Sequence, residues 1–261
     1  MSARPRLLLD LGNTRLKWAL VPPGGALGAV QAEPHHDRPA ELFLAREWPV
    51  VSEVWLSAVP RLADPAAWSA AVQTRCGFAP HCVQSAAEWQ GLRNCYAEPQ
   101  RLGVDRWLAM VALWQRLRGS FLVVSAGTAL TVDRVAADGG HRGGIIAPGY
   151  GSTLAALLKV TATAAQALPA LPADRLGQGS EAAIRQGALF AALGAIDRCR
   201  ALPDADPAEQ LVLTGGDAAT LHPHLGTAWQ MSSDLVLEGL LALATDPLAA
   251  YTARLQQRWP A

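Results

Sequence analysis

Residues 7–20 read LLLDLGNTRLKWAL, and this stretch decides the fold of the N-terminal part of the chain. Its first three leucines form a short apolar run that is typical of a strand buried on both faces. From Leu16 to Leu20 a large apolar side chain occupies every second position, which predicts a second, half-buried strand. Gly12 and Asn13 lie between the two runs and tolerate positive φ angles, so the pattern predicts a β-hairpin.

The predicted hairpin carries groups that suit a bound phosphate and its metal ion. Asp10 lies at a strand end next to a glycine, where a ligand can approach the backbone closely. Asn13 and Thr14 offer amide and hydroxyl groups, and Lys17 supplies a cation. A nucleotide phosphate with a divalent metal needs oxygen ligands for the metal and donors for the phosphates. An ordinary hairpin with a solvated Asp and Lys fits equally well, so this stretch alone leaves both interpretations open.

A second informative segment is NCYAEPQRLGVDRW at residues 94–107. Apolar residues recur at helical spacing from Leu108 to Leu117, so the segment is predicted to pass from a loop into a helix. Asp105 lies near the first turn, where the helix dipole and free amides favour its ionised form. Such a carboxylate can take a proton from an alcohol, although a simple helix cap would use the same residue. Gly103 would keep the approach open, and Arg106 could hold an anionic group.

These two segments resemble the signatures of one known family. Asp-x-Gly-Asn-Thr-x-x-Lys at residues 10–17 is similar to the first phosphate loop of the acetate and sugar kinase, Hsp70 and actin superfamily, in the form used by type III pantothenate kinases. Asn-x-Tyr-x-x-Pro followed by Gly-x-Asp-Arg, within residues 94–106, resembles the second signature of that family. With the three segments described next, the resemblance spans residues 7–245 in chain order.

The remaining segments lie in the second half of the chain. SAGTALT at residues 125–131 follows a buried strand and weakly repeats the opening hairpin, which indicates an internal duplication. The family has an Asp where this chain has Ser125, and that carboxylate helps to hold a monovalent cation. GGIIAPG at residues 143–149 also matches the family. TGGD at residues 214–217 resembles the adenosine-side loop, although a plain strand-to-helix turn would account for it as well.

The resemblance implies an α/β fold of two related ribonuclease H-like lobes with mixed sheets flanked by helices. We expect residues 1–118 to form the N-terminal lobe, with the first phosphate loop and the substrate segment. Residues 119–261 would form the C-terminal lobe, with the second phosphate loop and the adenosine-side loop. Ser180 is predicted to be the N-cap of a long helix. Further helices are predicted over residues 152–167, 234–244 and 251–259, and the C-terminal ones could pack back on the first lobe.

The activity that the resemblance implies is transfer of the γ-phosphate of ATP to the primary hydroxyl of pantothenate, the first committed step towards coenzyme A. Asp10 would position Mg²⁺, directly or through water, and Asp105 would be the general base. The residues expected to bind ATP are Asp10, Gly12, Asn13, Thr14, Lys17, Gly127, Thr128, Gly215 and Gly216. Those expected to bind pantothenate are Tyr96, Gly103, Val104, Arg106 and Ser180. Ser125 would face the monovalent cation (K⁺ or NH₄⁺), but a neutral hydroxyl is a poor cation ligand, so this requirement stays open.

Two other functions stay open, and one assembly is expected. A kinase or ATPase of the same superfamily could use another acceptor, although the segment 96–106 argues against it. A non-catalytic accessory factor for transcription is disfavoured by the intact Asp10, Lys17 and Asp105. The resemblance also implies a homodimer in which Ser180 reaches the substrate pocket of the partner. Trp107, Trp114 and Leu117 support the dimer, because they crowd one helix with more apolar surface than one buried face accommodates.

Composition excludes several other classes. The 22 basic and 22 acidic residues cancel, so no basic field indicates a nucleic-acid partner. No apolar run approaches the roughly 18 residues of a membrane span, and no signal segment is recognisable. The four cysteines lack C-x-x-C spacing, which argues against a zinc or redox site and fits free thiols in a reducing cytoplasm. The six histidines lack ligand partners at suitable spacing, and we expect them on the surface.

Overall fold

The computed structural model describes residues 4–58, 64–161 and 175–246. The helix predicted over residues 251–259 and the end of the one predicted over 152–167 lie outside these ranges. The chain forms two compact units. The first contains the described residues up to Arg118 together with those from Asp234 onward, and the second runs from Gly119 to Ser233.

The described residues form short strands and helices in alternating groups. The strands are β1 (Arg6–Leu11), β2 (Arg15–Val21), β3 (Gln31–Pro34), β4 (Glu53–Ala58), β5 (His81–Cys82), β6 (Glu88–Trp89), β7 (Leu92–Arg93), β8 (Phe121–Ala126), β9 (Ala129–Val135), β10 (His141–Pro148), β11 (Gln210–Thr214) and β12 (Trp229–Met231). The helices are α1 (Pro39–Ala45), α2 (Pro65–Cys76), α3 (Val104–Leu117), α4 (Tyr150–Val160), α5 (Ser180–Arg200), α6 (Ala218–Leu221) and α7 (Leu235–Thr245). Short 3₁₀ turns cover Pro99–Arg101 and His222–His224.

Each unit contains a five-stranded sheet, and the two sheets have the same strand order. The first sheet runs β3-β2-β1-β4-β5 and the second runs β10-β9-β8-β11-β12. In both, the first three strands in sequence pair antiparallel, whereas the later two pair parallel after helical crossovers. This repeated topology confirms the predicted α/β fold with mixed sheets flanked by helices.

The opening hairpin forms as its pattern predicts. Leu7, Leu8 and Leu9 are fully buried because β1 is the central strand of its sheet, with a neighbour on each side. On β2, Leu16 and Trp18 pack into the same apolar core. The central strand of each sheet is therefore fixed by apolar burial, and the turn at its end is held in a defined place.

Helix α7 follows the second unit in sequence but belongs to the first unit, where it packs along α3. A Cβ atom on Gly239 would overlap the backbone of Leu108, so the two helices touch through their main chains at this point. Arg116 on α3 also pairs with Glu238 on α7 at 3.7 Å. Residues 119–261 are expected from the sequence to form the C-terminal lobe, with C-terminal helices that could pack back on the first lobe, and the contacts of α7 are with the first unit.

Helix α3 buries the aromatic residues that the sequence analysis interpreted as surplus apolar surface. Trp107 is 1% exposed and Trp114 is 7% exposed, both in the interior of the first unit. Only Leu117 remains half-buried. The apolar excess on α3 is therefore no argument for a dimer, because both tryptophans are already buried within the single chain.

None of the helices in the described part of the chain combines the length and apolar character that crossing a bilayer requires.

Candidate active site

The hairpin of the first unit presents the predicted phosphate loop at the end of the central strand. Asp10 on β1 lies opposite Lys17 on β2 and opposite Ser57 on β4 in the strand register. The Gly12 N–H donates to the Arg15 carbonyl at 3.1 Å, which closes the turn. Asn13 and Thr14 at the tip are exposed. The five residues predicted to bind phosphates in this unit therefore share one hairpin end.

A buried histidine contacts the backbone of this turn through a hydrogen bond. His35 is 3% exposed, and its Nε2 atom lies 3.0 Å from the Gly12 carbonyl oxygen. Its Nδ1 atom accepts the Asp37 N–H at 3.1 Å, so Nε2 carries the proton and donates. The expectation that the histidines lie on the surface is wrong for His35. It is also wrong for His141, which is buried against Asp133 at 2.9 Å.

Asp10 has an unusual electrostatic environment. Burial raises the pKa of its carboxyl from 3.8 to about 7, and the nearby Lys17 ammonium opposes this shift. The negative charges of Asp105 and Asp234 raise the pKa further. The Ser57 hydroxyl is close enough to lower the pKa, yet its geometry falls short of a formed hydrogen bond and leaves that buried oxygen unsatisfied. The charges of Lys17, Asp105 and Asp234 thus act on the buried Asp10 carboxyl.

The oxygen donors at this position fit a Mg²⁺ ion that is shared with phosphates. Among the described residues no cluster of three or more His, Cys, Asp or Glu side chains could enclose a metal. Mg²⁺ in phosphotransfer sites is ordinarily bound by one or two carboxylates, with waters and substrate oxygens completing the shell. Asp10, a buried carboxylate beside the unsatisfied Ser57 hydroxyl, has the chemistry for that partial role.

Asp105 lies in the first turn of α3, as predicted, but it is not the helix cap. Gly103 is the N-cap residue and Asp105 is the second residue of the helix. A Cβ atom on Gly103 would lie 2.7 Å from the Asp105 Oδ1 atom. The carboxylate therefore occupies space that is available only because residue 103 is a glycine.

The loop before α3 brings the other predicted substrate residues to the same helix end. The Asn94 side chain donates to the carbonyls of Ala86 and Pro99, at 3.2 and 3.1 Å, and accepts the Tyr96 N–H at 3.0 Å. Arg106 is 5% exposed and its Nη1 atom donates to the Tyr96 hydroxyl at 3.1 Å. Val104, between Gly103 and Asp105 in sequence, is also buried. Asn94 thus shapes the loop that sets Tyr96 beside Arg106.

The second unit gathers its glycine turns at the end of its own central strand. The Gly127 N–H donates to the Ala129 carbonyl at 3.0 Å and closes the turn between β8 and β9. A Cβ atom on Gly149 would overlap the Gly127 carbonyl, and the Ser152 hydroxyl donates to the Thr128 carbonyl at 2.7 Å. The start of α4 is therefore tied directly to the predicted second phosphate loop.

The Gly-Gly turn after β11 lies against the same strand end. Gly215 has φ +101° and its Cα faces the Ala126 carbonyl, so no other residue fits there. The Asp217 N–H donates to that carbonyl at 2.9 Å. The Asp217 carboxylate in turn accepts the Gly151 N–H at 3.2 Å. The four predicted ATP residues of this unit, Gly127, Thr128, Gly215 and Gly216, are thereby brought together.

Ser125 occupies the place in the second sheet that Asp10 occupies in the first. Each is the fifth residue of its central strand. Ser125 lies opposite Thr131 on β9 and Thr214 on β11 in the register. Where the first sheet has Asp10 beside Lys17 and Ser57, the second sheet therefore has a row of three hydroxyl side chains.

Ser180 is the one predicted substrate residue that lies in the second unit. It is exposed and is the first residue of α5, whereas Gly179 with φ +127° is the N-cap. The prediction that Ser180 caps this helix is wrong by one position. It stands apart in sequence and unit from Tyr96, Gly103, Val104 and Arg106.

Four residues that contact or influence the site were not predicted from the sequence. They are His35, Ser57, Asp217 and Asp234. Ser57 is the last but one residue of β4, which is parallel to β1. A polar residue near the end of an apolar run is the sequence signal that could have identified it. Asp234 precedes an apolar helix and resembles an ordinary cap. Asp217 follows two glycines in a turn, where Asp is common, and nothing in the sequence distinguishes His35.

Two similar sheets, each with a glycine turn at the end of its central hairpin, give the two-sheet α/β fold that the sequence resemblance implied. Solved structures with this fold include the activator of 2-hydroxyisocaproyl-CoA dehydratase from Clostridium difficile with bound ADPNP (9% identity, 98% of this chain and 99% of that one, TM-score 0.54). Another is a Campylobacter jejuni protein provisionally named a Baf family transcriptional activator (19% identity, 92% and 98%, TM-score 0.61). At these identities the likeness shows the fold alone.

Sequence comparison narrows the class to a family. The family model for type III pantothenate kinase matches residues 6–201. A type III pantothenate kinase of Nitrosococcus oceani is 34% identical over 92% of this chain and 94% of its own length. One from Chromobacterium violaceum is 37% identical over 92% of this chain and 99% of its own length. The chain belongs to the type III pantothenate kinase family, which confirms the resemblance drawn from its motifs.

Proposed function

We propose that this protein transfers the γ-phosphate of ATP to the primary hydroxyl of pantothenate and so produces 4'-phosphopantothenate for coenzyme A synthesis. Membership of the family supports this activity. The observation that carries it is the electrostatic proximity of Asp105 to Asp10 within one unit. One carboxylate serves the metal and phosphates, and the other serves the acceptor alcohol.

The hairpin of the first unit is proposed to bind the phosphates of ATP. Asp10 would hold Mg²⁺ directly or through water, and a bound ion would neutralise phosphate charge. Gly12, Asn13 and Thr14 offer backbone and side-chain donors, and the Lys17 ammonium offers a positive charge. The exposure of the turn tip and the support of its base by His35 are consistent with this role.

Asp105 is proposed to accept the proton of the pantothenate hydroxyl. As that O–H bond breaks, the hydroxyl oxygen forms a bond to the γ-phosphorus, and the bond between this phosphorus and the β,γ-bridging oxygen breaks to release ADP. Gly103 and Val104 line the approach. Arg106 is proposed to bind the pantothenate carboxylate through its guanidinium, and its hydrogen bond to the Tyr96 hydroxyl supports this role.

The second unit is proposed to supply further ATP contacts through Gly127, Thr128, Gly215 and Gly216. Their convergence at one strand end supports this role. Ser125 corresponds in sequence to the Asp that helps the family to hold a monovalent cation. With three hydroxyl side chains in its row and no carboxylate, we propose a weak dependence on K⁺ or NH₄⁺.

A homodimer with Ser180 at the partner's pantothenate site is proposed from the family, and the second unit offers an apolar surface for it. Ile146 on β10 is 67% exposed, and Leu157 and Val160 on α4 are 40% and 82% exposed. Exposed apolar residues of this extent are typical of a surface that a second copy covers. A cytoplasmic location is proposed from the use of ATP and from the free cysteines of the described residues.

One assay tests the proposed function directly. Purified protein is mixed with ATP and Mg²⁺, with and without pantothenate, and ADP release is followed. We expect release that depends on pantothenate, with a phosphorylated product of matching amount. ADP release without pantothenate, or no turnover at all, would overturn the proposal.

A further inference from the structure

Asp234 immediately precedes α7, but its carboxylate is not used by that helix. An aspartate at the N-cap ordinarily accepts hydrogen bonds from the first free N–H groups of the helix. The Asp234 side chain makes no such bond. Its Oδ1 atom instead lies 3.8 Å from the Nζ atom of Lys17 in the phosphate loop.

The backbone at Asp234 is in an unfavourable conformation. Its φ of 63° and ψ of 21° lie in the left-handed region, which glycine enters freely, Asp and Asn only at single positions, and other residues at a higher cost. Such conformations persist only where the surroundings impose them, and they are frequent at functional sites. Asp234 therefore has a left-handed backbone and a side chain that does not cap the helix. That side chain pairs with Lys17 instead.

The packing of α7 explains why Asp234 stays in this place. Gly239 touches the backbone of Leu108 on α3, one turn beyond Asp105. Arg116 and Glu238 join the same two helices at 3.7 Å. The helix that presents Asp234 is therefore seated on the helix that presents Asp105.

The charge of Asp234 also acts on the candidate metal ligand. It is one of the groups that raise the pKa of Asp10, together with Asp105. The Asp234 carboxylate is therefore close enough to act electrostatically on both Asp10 and Lys17.

We propose that Asp234 is a positioning residue whose carboxylate holds the Lys17 ammonium beside Asp10, in the orientation that receives the phosphates of ATP. This inference rests on the proposed function, because it takes Lys17 to bind phosphate. The 3.8 Å separation is longer than a hydrogen bond. The pair therefore orients the ammonium without occupying one of its three N–H donors, which the phosphate oxygens then accept.

The test compares Asp234→Asn with the wild type, both by steady-state kinetics and by calorimetric binding of a non-hydrolysable ATP analogue with Mg²⁺. Asparagine tolerates the left-handed backbone and the N-cap position, so the fold is expected to persist. We expect the dissociation constant of the analogue and the KM for ATP to rise about two- to fivefold, the range for a partly exposed ion pair. The KM for pantothenate should stay within about twofold of the wild type, inside the same range.

A double variant separates positioning from a structural effect. In a Lys17→Met background, adding Asp234→Asn should change nucleotide affinity no further, because the group to be positioned is gone. Asp64→Asn is the matched control, since Asp64 caps α2 through the N–H groups of Ala66 and Ala67 and lies outside the site. Its nucleotide affinity should equal that of the wild type.

Several outcomes would overturn the inference. One is that Asp234→Asn binds the nucleotide analogue as tightly as the wild type or more tightly. Another is that the double variant loses affinity by the product of the two single-variant losses. Asp234→Gly provides a second variant, because glycine relieves the backbone strain. It should lose the same affinity without a lower melting temperature. A protein that binds the analogue but shows no pantothenate-dependent turnover would refute the proposed function, while the binding experiments would still decide the role of Asp234.

Discussion

The Oδ1 atom of Asp105 lies 2.7 Å from the position that a Cβ atom on Gly103 would occupy. An alanine at residue 103 must therefore displace the carboxylate of the proposed base, since the backbone of the helix start is fixed by α3. Displacements of about 1 Å at a reacting group cost on the order of 10²-fold in rate. We predict that Gly103→Ala lowers kcat to this extent and leaves the KM for ATP nearly unchanged, as measured by ADP release.

The control for this substitution is Gly187→Ala on α5, where an added Cβ atom meets nothing within 4 Å. It should retain wild-type kcat and gain a little helix stability. Equal kcat values for the two alanine variants would show that Gly103 has no role in placing Asp105.

Removal of the proposed base should affect the chemical step. Asp105→Asn keeps the shape of the side chain but cannot accept the hydroxyl proton, so we predict a fall in kcat of about 10²–10⁴. Binding of an ATP analogue should persist. A kcat within about threefold of the wild type, small on this scale, would rule out general-base catalysis by Asp105.

The stability of the protein should depend on pH through Asp10. Burial raises the pKa of this carboxyl to about 7 in the folded chain, from 3.8. The folded state therefore binds more protons between these values, so this contribution is fully present below about pH 4 and is lost as pH rises through about 7. In Mg²⁺-free buffer, Asp10→Asn should melt at a higher temperature than the wild type, by a margin that grows from about pH 5 to about pH 8.

Differential scanning calorimetry measures that margin, which corresponds to at most about 4 kcal/mol in the free energy of unfolding. Glu47→Gln, which removes an exposed charge, should show no such trend. A margin that is constant or shrinks with pH would contradict the raised pKa of the buried Asp10 carboxyl.

The row of hydroxyls around Ser125 leads to a prediction about ions. Replacing Na⁺ by K⁺ at constant ionic strength should change the rate only slightly, because a neutral hydroxyl is a weak cation ligand. Ser125→Asp should increase the dependence on K⁺. A large and saturable K⁺ activation of the wild type would mean that other groups form the cation site.

The proposed dimer predicts complementation between inactive chains. Asp105→Asn and a Ser180 variant, each inactive alone, should regain some activity when mixed, because a mixed dimer pairs an intact Asp105 with an intact Ser180 at one site. Light scattering should report a mass near that of two chains. An active monomer, or chains that exchange yet remain inactive together, would contradict a shared site.

Local patterns predicted the central strands well, because apolar runs and alternation report burial directly. The apolar run ending at Asp10 and the one ending at Ser125 both proved to be central strands with glycine turns. The helix after Gly103 begins at Val104, about one turn before the apolar spacing that starts at Leu108. The short edge strands were harder to predict. β12 has three residues, and its pairing with β11 is a long-range contact that no local pattern encodes.

The unpredicted site residues share a physical cause. His35, Ser57 and Asp234 act through residues distant in sequence, and their neighbours give the patterns of ordinary turns, strands and caps. The tryptophans on α3 were misinterpreted for a related reason. The helical spacing of apolar residues shows how much of the α3 surface is apolar, but it does not show that α7 packs against that surface.

The return of α7 to the first unit also has a consequence for biosynthesis. On the ribosome, residues up to Arg118 emerge first, yet the helix that seats Gly239 on Leu108 is made only after the whole second unit. Until α7 is synthesised, the side of α3 that contacts α7 therefore stays uncovered in the nascent first unit. The second unit is one continuous segment, so all of its residues are available before α7 is made. Synthesis of α7, after the whole second unit, then brings Asp234 to Lys17.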